Sequence, residues 1–450
     1  MNVILRPTAG RRAARCGAAL GALASLLLAG CATPVTAPSA PTEAAPALTA
    51  CPEGVPAGAR CWRGTDSARA PYLIVMPAQW SGVLVVHAHG GPFLGAPTDA
   101  RADEDIKRWA ITVREGHAWA ASVFRQGGFA VTTAAEDTER VRRIFVDHVA
   151  RPRRTLLHGQ SWGAMVATRA AELFPQSWQG MLLTSGVVAG PATYDFRLDL
   201  RALYQHLCNN HPRPDEPPYP LSIGLPADSK LTAAELAGRV DACLGLRTPA
   251  AQRTPEQAQR IKTLVDVIRI PENAIQGHLN WGTFTLRDVA TRSGGSPFHN
   301  ATVRYQGSAD DAALNRQIAR FAPDAQAVRR FAADVDHAGR FALPVLTTHG
   351  IGDSTVFVEG SDTLRRRMEA AGNGRWLVQT YVQSAEHSYL GDAAYPPLFE
   401  ALLNWVDQGE RPSAQGIARR CLQLRAATPA ECRFVPDYQS GPLDSRIAPR

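Results

Sequence analysis

Between residues 70 and 190 the chain alternates short β-rich runs with helical stretches. The runs at residues 72–76, 83–87, 129–133, 154–158 and 181–185 predict strands. Between them, residues 136–150 carry Val141, Ile144, Phe145 and Val149 at helical spacing, and residues 162–174 repeat the amphipathic pattern. Such alternation predicts an α/β fold, with a mostly parallel sheet covered by helices on both faces. The period fades after Gly190. Residues 191–340 mix helical stretches, at 232–244 and 255–268, with turns containing Pro212, Pro214, Pro217, Pro218 and Pro220. They predict an inserted, largely helical cap over the mouth of the sheet. The alternation resumes with strands at 344–348 and 376–382 and helices at 361–371 and 397–406. The expected divisions are thus a core over 51–190, a cap over 191–340, a second core segment over 341–420 and an irregular extension over 421–450.

The N-terminus breaks the pattern. Arg6, Arg11, Arg12 and Arg15 precede an apolar stretch, residues 16–29, too short to span a bilayer as a stable helix, so residues 1–30 predict an export signal. Arg11-Arg12 lies in a context that fits the twin-arginine route poorly. Leu28-Ala29-Gly30-Cys31 resembles the lipobox of bacterial lipoproteins, which implies acylation at Cys31 and membrane attachment by that anchor alone. Ala32 lacks the acidic character of an inner-membrane retention signal, so outer-membrane sorting is expected. Residues 31–50 are rich in alanine, proline and threonine and predict an unstructured tether.

The net charge of +7 includes four arginines of the signal; removing them leaves +7 − 4 = +3. That balance, with no accompanying nucleic-acid motif, gives no reason to expect a polyanionic partner. Beyond Cys16 and Cys31 stand Cys51, Cys61, Cys208, Cys243, Cys421 and Cys432. An even number in an exported chain favours disulfides, and their clustering pairs Cys51 with Cys61, Cys208 with Cys243 and Cys421 with Cys432. None of these pairs has the Cys-x-x-Cys spacing of a metal site. No metal and no cofactor is expected.

The chemistry is concentrated at Leu156-Leu157-His158-Gly159-Gln160-Ser161-Trp162-Gly163, where a strand runs through Gly-x-Ser-x-Gly into a helix. This nucleophile elbow lifts a serine hydroxyl to the tip of a sheet, and a side chain at Gly159 or Gly163 would collide with the neighbouring strand or helix. Serine needs a histidine to take its proton and a carboxylate to orient that histidine. Two strand ends supply candidates, Asp353 after residues 344–348 and His387 after residues 376–382. His349, His158, Glu359 and Glu386 compete for the same roles. His349 and His158 read better as packed histidines, and Glu386 adjoins His387 too closely to face it.

Ser161, Asp353 and His387 keep the order of the α/β-hydrolase superfamily, which residues 70–190 and 341–410 resemble. An oxyanion needs two N–H donors. One is expected from Trp162. The other is expected from His89-Gly90-Gly91-Pro92, which resembles the oxyanion loop of esterases and of proline-iminopeptidase-like enzymes: Gly91 first, Gly90 next, and not Pro92, which has no N–H. The resemblance implies a serine hydrolase acting on a small-molecule ester, or alternatively on a short peptide; a catalytically dead binding module is the third reading. Tyr194, Phe196, Tyr204, Trp281, Phe284, Phe298 and Tyr305 could line an acyl pocket. An aminopeptidase would need a cap carboxylate for the substrate ammonium, and Asp195, Asp199, Glu256 and Asp288 are open candidates.

Overall fold

The computed structural model describes residues 42–450, so the expected signal, Cys31 and residues 32–41 lie outside the described region. Strands β1 (Ala47–Thr49), β2 (Arg60–Thr65), β3 (Pro71–Met76), β4 (Val83–Ala88), β5 (Ala118–Ser122), β6 (Arg154–Gln160), β7 (Gly180–Thr184), β8 (Val345–Gly350) and β9 (Leu377–Val382) form one sheet in the order β1-β2-β3-β5-β4-β6-β7-β8-β9. Strands β5, β4, β6, β7, β8 and β9 run parallel, whereas β1, β2 and β3 are joined antiparallel at one edge.

Helices cover both faces. On one lie α1 (Asp99–Arg114) and, towards the C-terminus, α12 (Tyr395–Gln408) and α13 (Ala414–Leu424); Trp109, Leu398 and Leu402 pack there on Val83, Val85 and Leu156. On the other lie α2 (Val131–Ile144), α3 (Gly163–Leu173) and α11 (Gly360–Ala370), with Val141, Ile144, Met165 and Leu364 against Leu84, Val86 and Leu157. This is the α/β-hydrolase arrangement. Its consequence for chemistry is topological. From β4 the chain leaves through α1 to β5 on one side, while β6 pairs with β4 on the other, so the loops after β4 and β6 diverge and open a crevice at the carboxyl ends of the strands.

Seven helices separate β7 from β8: α4 (Ala192–Cys208), α5 (Ala233–Leu244), α6 (Pro255–Ile268), α7 (Ile275–Asn280), α8 (Leu286–Ser293), α9 (Asp311–Gln317) and α10 (Ala325–Val335). Phe196, Leu203, Leu236, Leu244, Leu264 and Ile275 make an apolar centre of their own within this insertion. Helices α5 and α6 start as their sequences dictate, each with a capping box, Thr232 with Glu235 and Thr254 with Gln257.

Three expectations need correction. Residues 129–133 are not a strand: Val131 opens α2, and the strand of this region is the alanine-rich β5. The helix start is set from far away, because the Asp334 carboxylate accepts the N–H groups of Val131 (2.9 Å) and Thr132 (2.8 Å), and that of Asp288 accepts Phe129 N–H at 2.6 Å. The tether does not extend to Ala50: residues 47–49 pair with β2, and the buried Glu43 accepts hydrogen bonds from Ser67 N–H (2.7 Å) and Ser67 Oγ (2.8 Å). The C-terminal extension is more than a strap. Cys421 belongs to α13, Phe434 bridges to Val382 of β9, Leu443 and Ile447 join the apolar centre of the insertion, and Arg450 pairs with Asp199 at 2.7 Å.

Disulfides join Cys51 to Cys61, Cys208 to Cys243 and Cys421 to Cys432. They fit a chain that folds in an oxidising compartment. No helix among the described residues is long and apolar enough to cross a membrane.

Candidate active site

Ser161 sits where β6 turns into α3, with φ at +55°. A non-glycine residue in this region is strained, and the turn holds it there: Ser161 N–H donates to Thr184 O (3.0 Å), while its carbonyl accepts from Ala164 (3.0 Å) and Val187 (2.9 Å). The two flanking glycines are required by contact. A Cβ on Gly159 would lie 2.7 Å from Gly163 O and 2.8 Å from Ala164 Cα, and one on Gly163 would overlap the Ala88 carbonyl oxygen of β4. Hence β4, β6 and α3 can close around the serine only with glycine at both positions.

His387 Nε2 stands 2.8 Å from Ser161 Oγ, and His387 Nδ1 stands 2.7 Å from Asp353 Oδ2. With the carboxylate accepting at Nδ1–H, Nε2 carries the lone pair and accepts from the serine hydroxyl. Asp353 is buried, and its other oxygen accepts N–H groups from Thr355 (2.8 Å) and Val356 (3.0 Å). Burial by itself raises the carboxyl, but the interactions with His349 and His387 outweigh it and hold Asp353 well below the usual carboxylate range. Asp353 is therefore an anion at every pH where the protein would act.

The rivals fall elsewhere. His349 is buried and does not reach Ser161; its Nε2–H donates to Val356 O at 2.9 Å and lies 3.3 Å from Asp353 Oδ2, a second positive edge beside the acid. His158 points into the layer beneath the sheet, with Nδ1 2.9 Å from His87 Nδ1. Neither Glu359 nor Glu386 hydrogen-bonds His387 among the described residues.

The loop after β4 is fixed by three groups that sequence reading missed. Gly90 N–H donates to Gln160 Oε1 (3.0 Å), and Gly90 O accepts from Arg101 Nη2 (2.7 Å) and contacts His89 Nδ1 (3.1 Å). Gln160, the variable residue of the elbow, also donates to Ser388 Oγ beside His387. It thus ties nucleophile turn, glycine loop and histidine loop together. With its N–H taken by Gln160, Gly90 is removed from the candidate oxyanion donors. Gly91 adopts φ +71°, and its N–H and that of Trp162 find no acceptor among the described residues. A glycine before a strand-end turn and a Gln inside the elbow were visible in the sequence; their hydrogen bond was not.

The insertion grips the acid turn as well. His278 Nε2 donates to Ser354 O (2.7 Å), and Arg197 Nη2 donates to Thr355 O (3.3 Å). Arg197 is fully buried, with its guanidinium 4.9 Å from the Trp281 ring centroid and 4.7 Å from that of Phe196. Arg201, also buried, donates to Gly282 O at 3.0 Å and so holds the widened helical turn Trp281–Thr285.

A cavity of about 460 Å³ opens over Ser161 and His387. Gly91, Phe93 and Leu94 of the loop after β4 line it together with Asn280, Trp281 and Phe284 of the insertion. Of the seven candidate acyl-pocket aromatics only Trp281 and Phe284 line it; Tyr194, Phe196, Tyr204, Phe298 and Tyr305 are buried in packing. No carboxylate lines it among the described residues. Asp195 and Asp199 face Arg450, Glu256 pairs with Arg260, and Asp288 pairs with Arg292. Nor does any group of three or more His, Cys, Asp or Glu side chains stand ready to hold a metal among the described residues.

The sequence matches no known protein family and no curated relative. Among solved structures, the chain is similar to feruloyl esterase B from Aspergillus oryzae, at 12% identity and a TM-score of 0.41 over 83% of this chain and 87% of that one. It is also similar to the rice cell wall degrading esterase LipA from Xanthomonas oryzae, at 14% identity and a TM-score of 0.36 over 77% and 89% of the two chains. Lipase A from Candida antarctica shares 14% identity at a TM-score of 0.39 over 79% of this chain and 78% of that one. All three likenesses are distant, and no residue role follows from them.

Proposed function

We propose that the protein is a serine hydrolase that cleaves carboxylic esters through an acyl-enzyme. The observation that carries this reading is the unbroken chain from the Ser161 hydroxyl through the His387 imidazole to the Asp353 carboxylate, at 2.8 and 2.7 Å. Ser161 Oγ attacks the ester carbonyl carbon while His387 Nε2 takes its proton. The resulting oxyanion receives the free N–H groups of Trp162 and Gly91. As the carbon–oxygen bond to the alcohol breaks, the imidazolium returns its proton to the leaving oxygen. Water then adds to the acyl-enzyme, losing its proton to His387, which passes it to Ser161 as the acid departs.

An aminopeptidase is the second reading, and the cavity disfavours it because no carboxylate is at hand for a substrate ammonium. A panel of 4-nitrophenyl esters and aminoacyl 4-nitroanilides separates the two. Esters are expected to be turned over at least a hundredfold faster; preference for anilides with a free N-terminus would reverse the assignment.

We also infer export and lipid attachment at Cys31, on the strength of the N-terminal pattern and the disulfides. An alkyne fatty acid fed to expressing cells should label the chain, and labelling that persists in Cys31→Ser would remove this inference.

A further inference from the structure

The active cavity has a charge character that the triad does not use. Helix α1 follows the glycine loop directly and lends the cavity two arginines, Arg101 and Arg108. Seven residues apart, they lie on one face of the helix, about 10 Å from each other along its axis. Their situations differ. Arg101 is anchored by Gly90 O at 2.7 Å, lies 3.4 Å from Asp105 and 3.5 Å from Glu104, and rests over the Phe93 ring at 5.4 Å. Arg108 is exposed and makes no hydrogen bond or ion pair among the described residues. A surface arginine without a partner is commonplace, but this one borders the reacting serine.

The acidic side offers no balance. Among the described residues that line the cavity there is no Asp or Glu. Asp105, the carboxylate of α1 nearest Arg101, is buried, and burial pushes it up to about 7, which weakens its claim on Arg101. Phe93 and Leu94, which line the cavity together with Trp281 and Phe284, are 52% and 46% exposed. Large apolar side chains left in water beside a nucleophile form a surface that a substrate covers.

We propose that the enzyme selects esters carrying a second, ionised carboxylate, with the apolar body of the substrate between Phe93-Leu94 and Trp281-Phe284 and the anion at Arg108. The inference rests on the ester-hydrolase reading of the same cavity. Arginine presents a planar fork of donors that matches a carboxylate, and the adjoining low-polarity walls strengthen the pair relative to open water. The proposal concerns binding only, and the bonds made and broken remain those of the ester reaction.

The test compares two esters of equal length on the full chain, 4-nitrophenyl hexanoate and the mono-4-nitrophenyl ester of adipic acid. A kcat/KM at least tenfold higher for the adipate ester is expected. Arg108→Gln should lower the adipate-to-hexanoate ratio about tenfold, and raising NaCl from 20 to 500 mM should lower it in the unsubstituted protein, because Arg108 is exposed and salt reaches it. Equal or poorer use of the adipate ester, or a ratio unmoved by Arg108→Gln, overturns the proposal while hexanoate turnover keeps the esterase reading intact. If neither ester is hydrolysed, both the esterase reading and this inference fall.

Discussion

Replacing Ser161 with alanine is expected to lower kcat/KM for 4-nitrophenyl hexanoate by about 10⁶-fold, to the residual level that binding and an oxyanion site alone provide. His387→Ala should cost about as much, and the double variant no more than either, because the hydroxyl and the imidazole act as one unit across their 2.8 Å contact. Asp353→Asn should lose less, about 10⁴-fold. Asparagine keeps an acceptor for the Thr355 and Val356 N–H groups but no longer stabilises the imidazolium, and His349 at 3.3 Å would then face a neutral amide. Steady-state kinetics on purified variants with circular dichroism to verify folding reads all four. A Ser161→Ala variant that keeps a tenth of the activity would end the mechanism, and losses that simply multiply in the double variant would show that the two groups act separately.

Acid should unfold the protein earlier than its carboxylates alone would require. Burial holds His89, His158 and His278 at about 3, His117 and His337 at about 4 and His211 at about 2, and it depresses His87 well below its ordinary value. Each stays neutral in the fold, whereas its unfolded counterpart takes up a proton near pH 6.5. Their contribution is therefore complete above that pH and is lost as pH falls below it. Four aspartates oppose the trend. Asp105 and Asp195 are raised to about 7, Asp137 and Asp199 are raised as well, all by burial first, so the fold gains from their protonation as pH drops. The histidines outnumber them, so a net loss of stability is expected as pH falls from 6 to 5. Thermal melts at constant ionic strength should show Tm falling steeply over that interval. A Tm that is flat or rises from pH 7 to 5 would mean that the buried histidines do not dominate the acid response.

Local chemistry accounts for what the sequence disclosed. Gly-x-Ser-x-Gly is a steric signature, since both glycines are demanded by atoms within a few ångströms, and the capping boxes of α5 and α6 are complete within four residues. Asp353 and His387 were visible because each follows a strand long enough to recognise. What stayed hidden depends on partners far along the chain. The start of α2 answers to Asp334, so β-branched residues at its head misled the reading of 129–133. Strand β5, with sequence AWAAS, lacks β-branched residues and takes its form from pairing with β3 and β4. Helix α1 was missed altogether, and with it Arg101 and Arg108. Gln160 illustrates the same limit inside the site: its position next to Ser161 was plain, but its partners Gly90 and Ser388 lie 70 and 228 residues away.

The most direct test of the central claim is covalent. The full chain is incubated with a fluorophosphonate at neutral pH and its peptides are analysed by mass spectrometry. A single phosphonyl adduct on Ser161 is expected, abolished by Ser161→Ala and strongly slowed by His387→Ala. An unlabelled Ser161 in folded protein, or an adduct on another serine, would contradict the account.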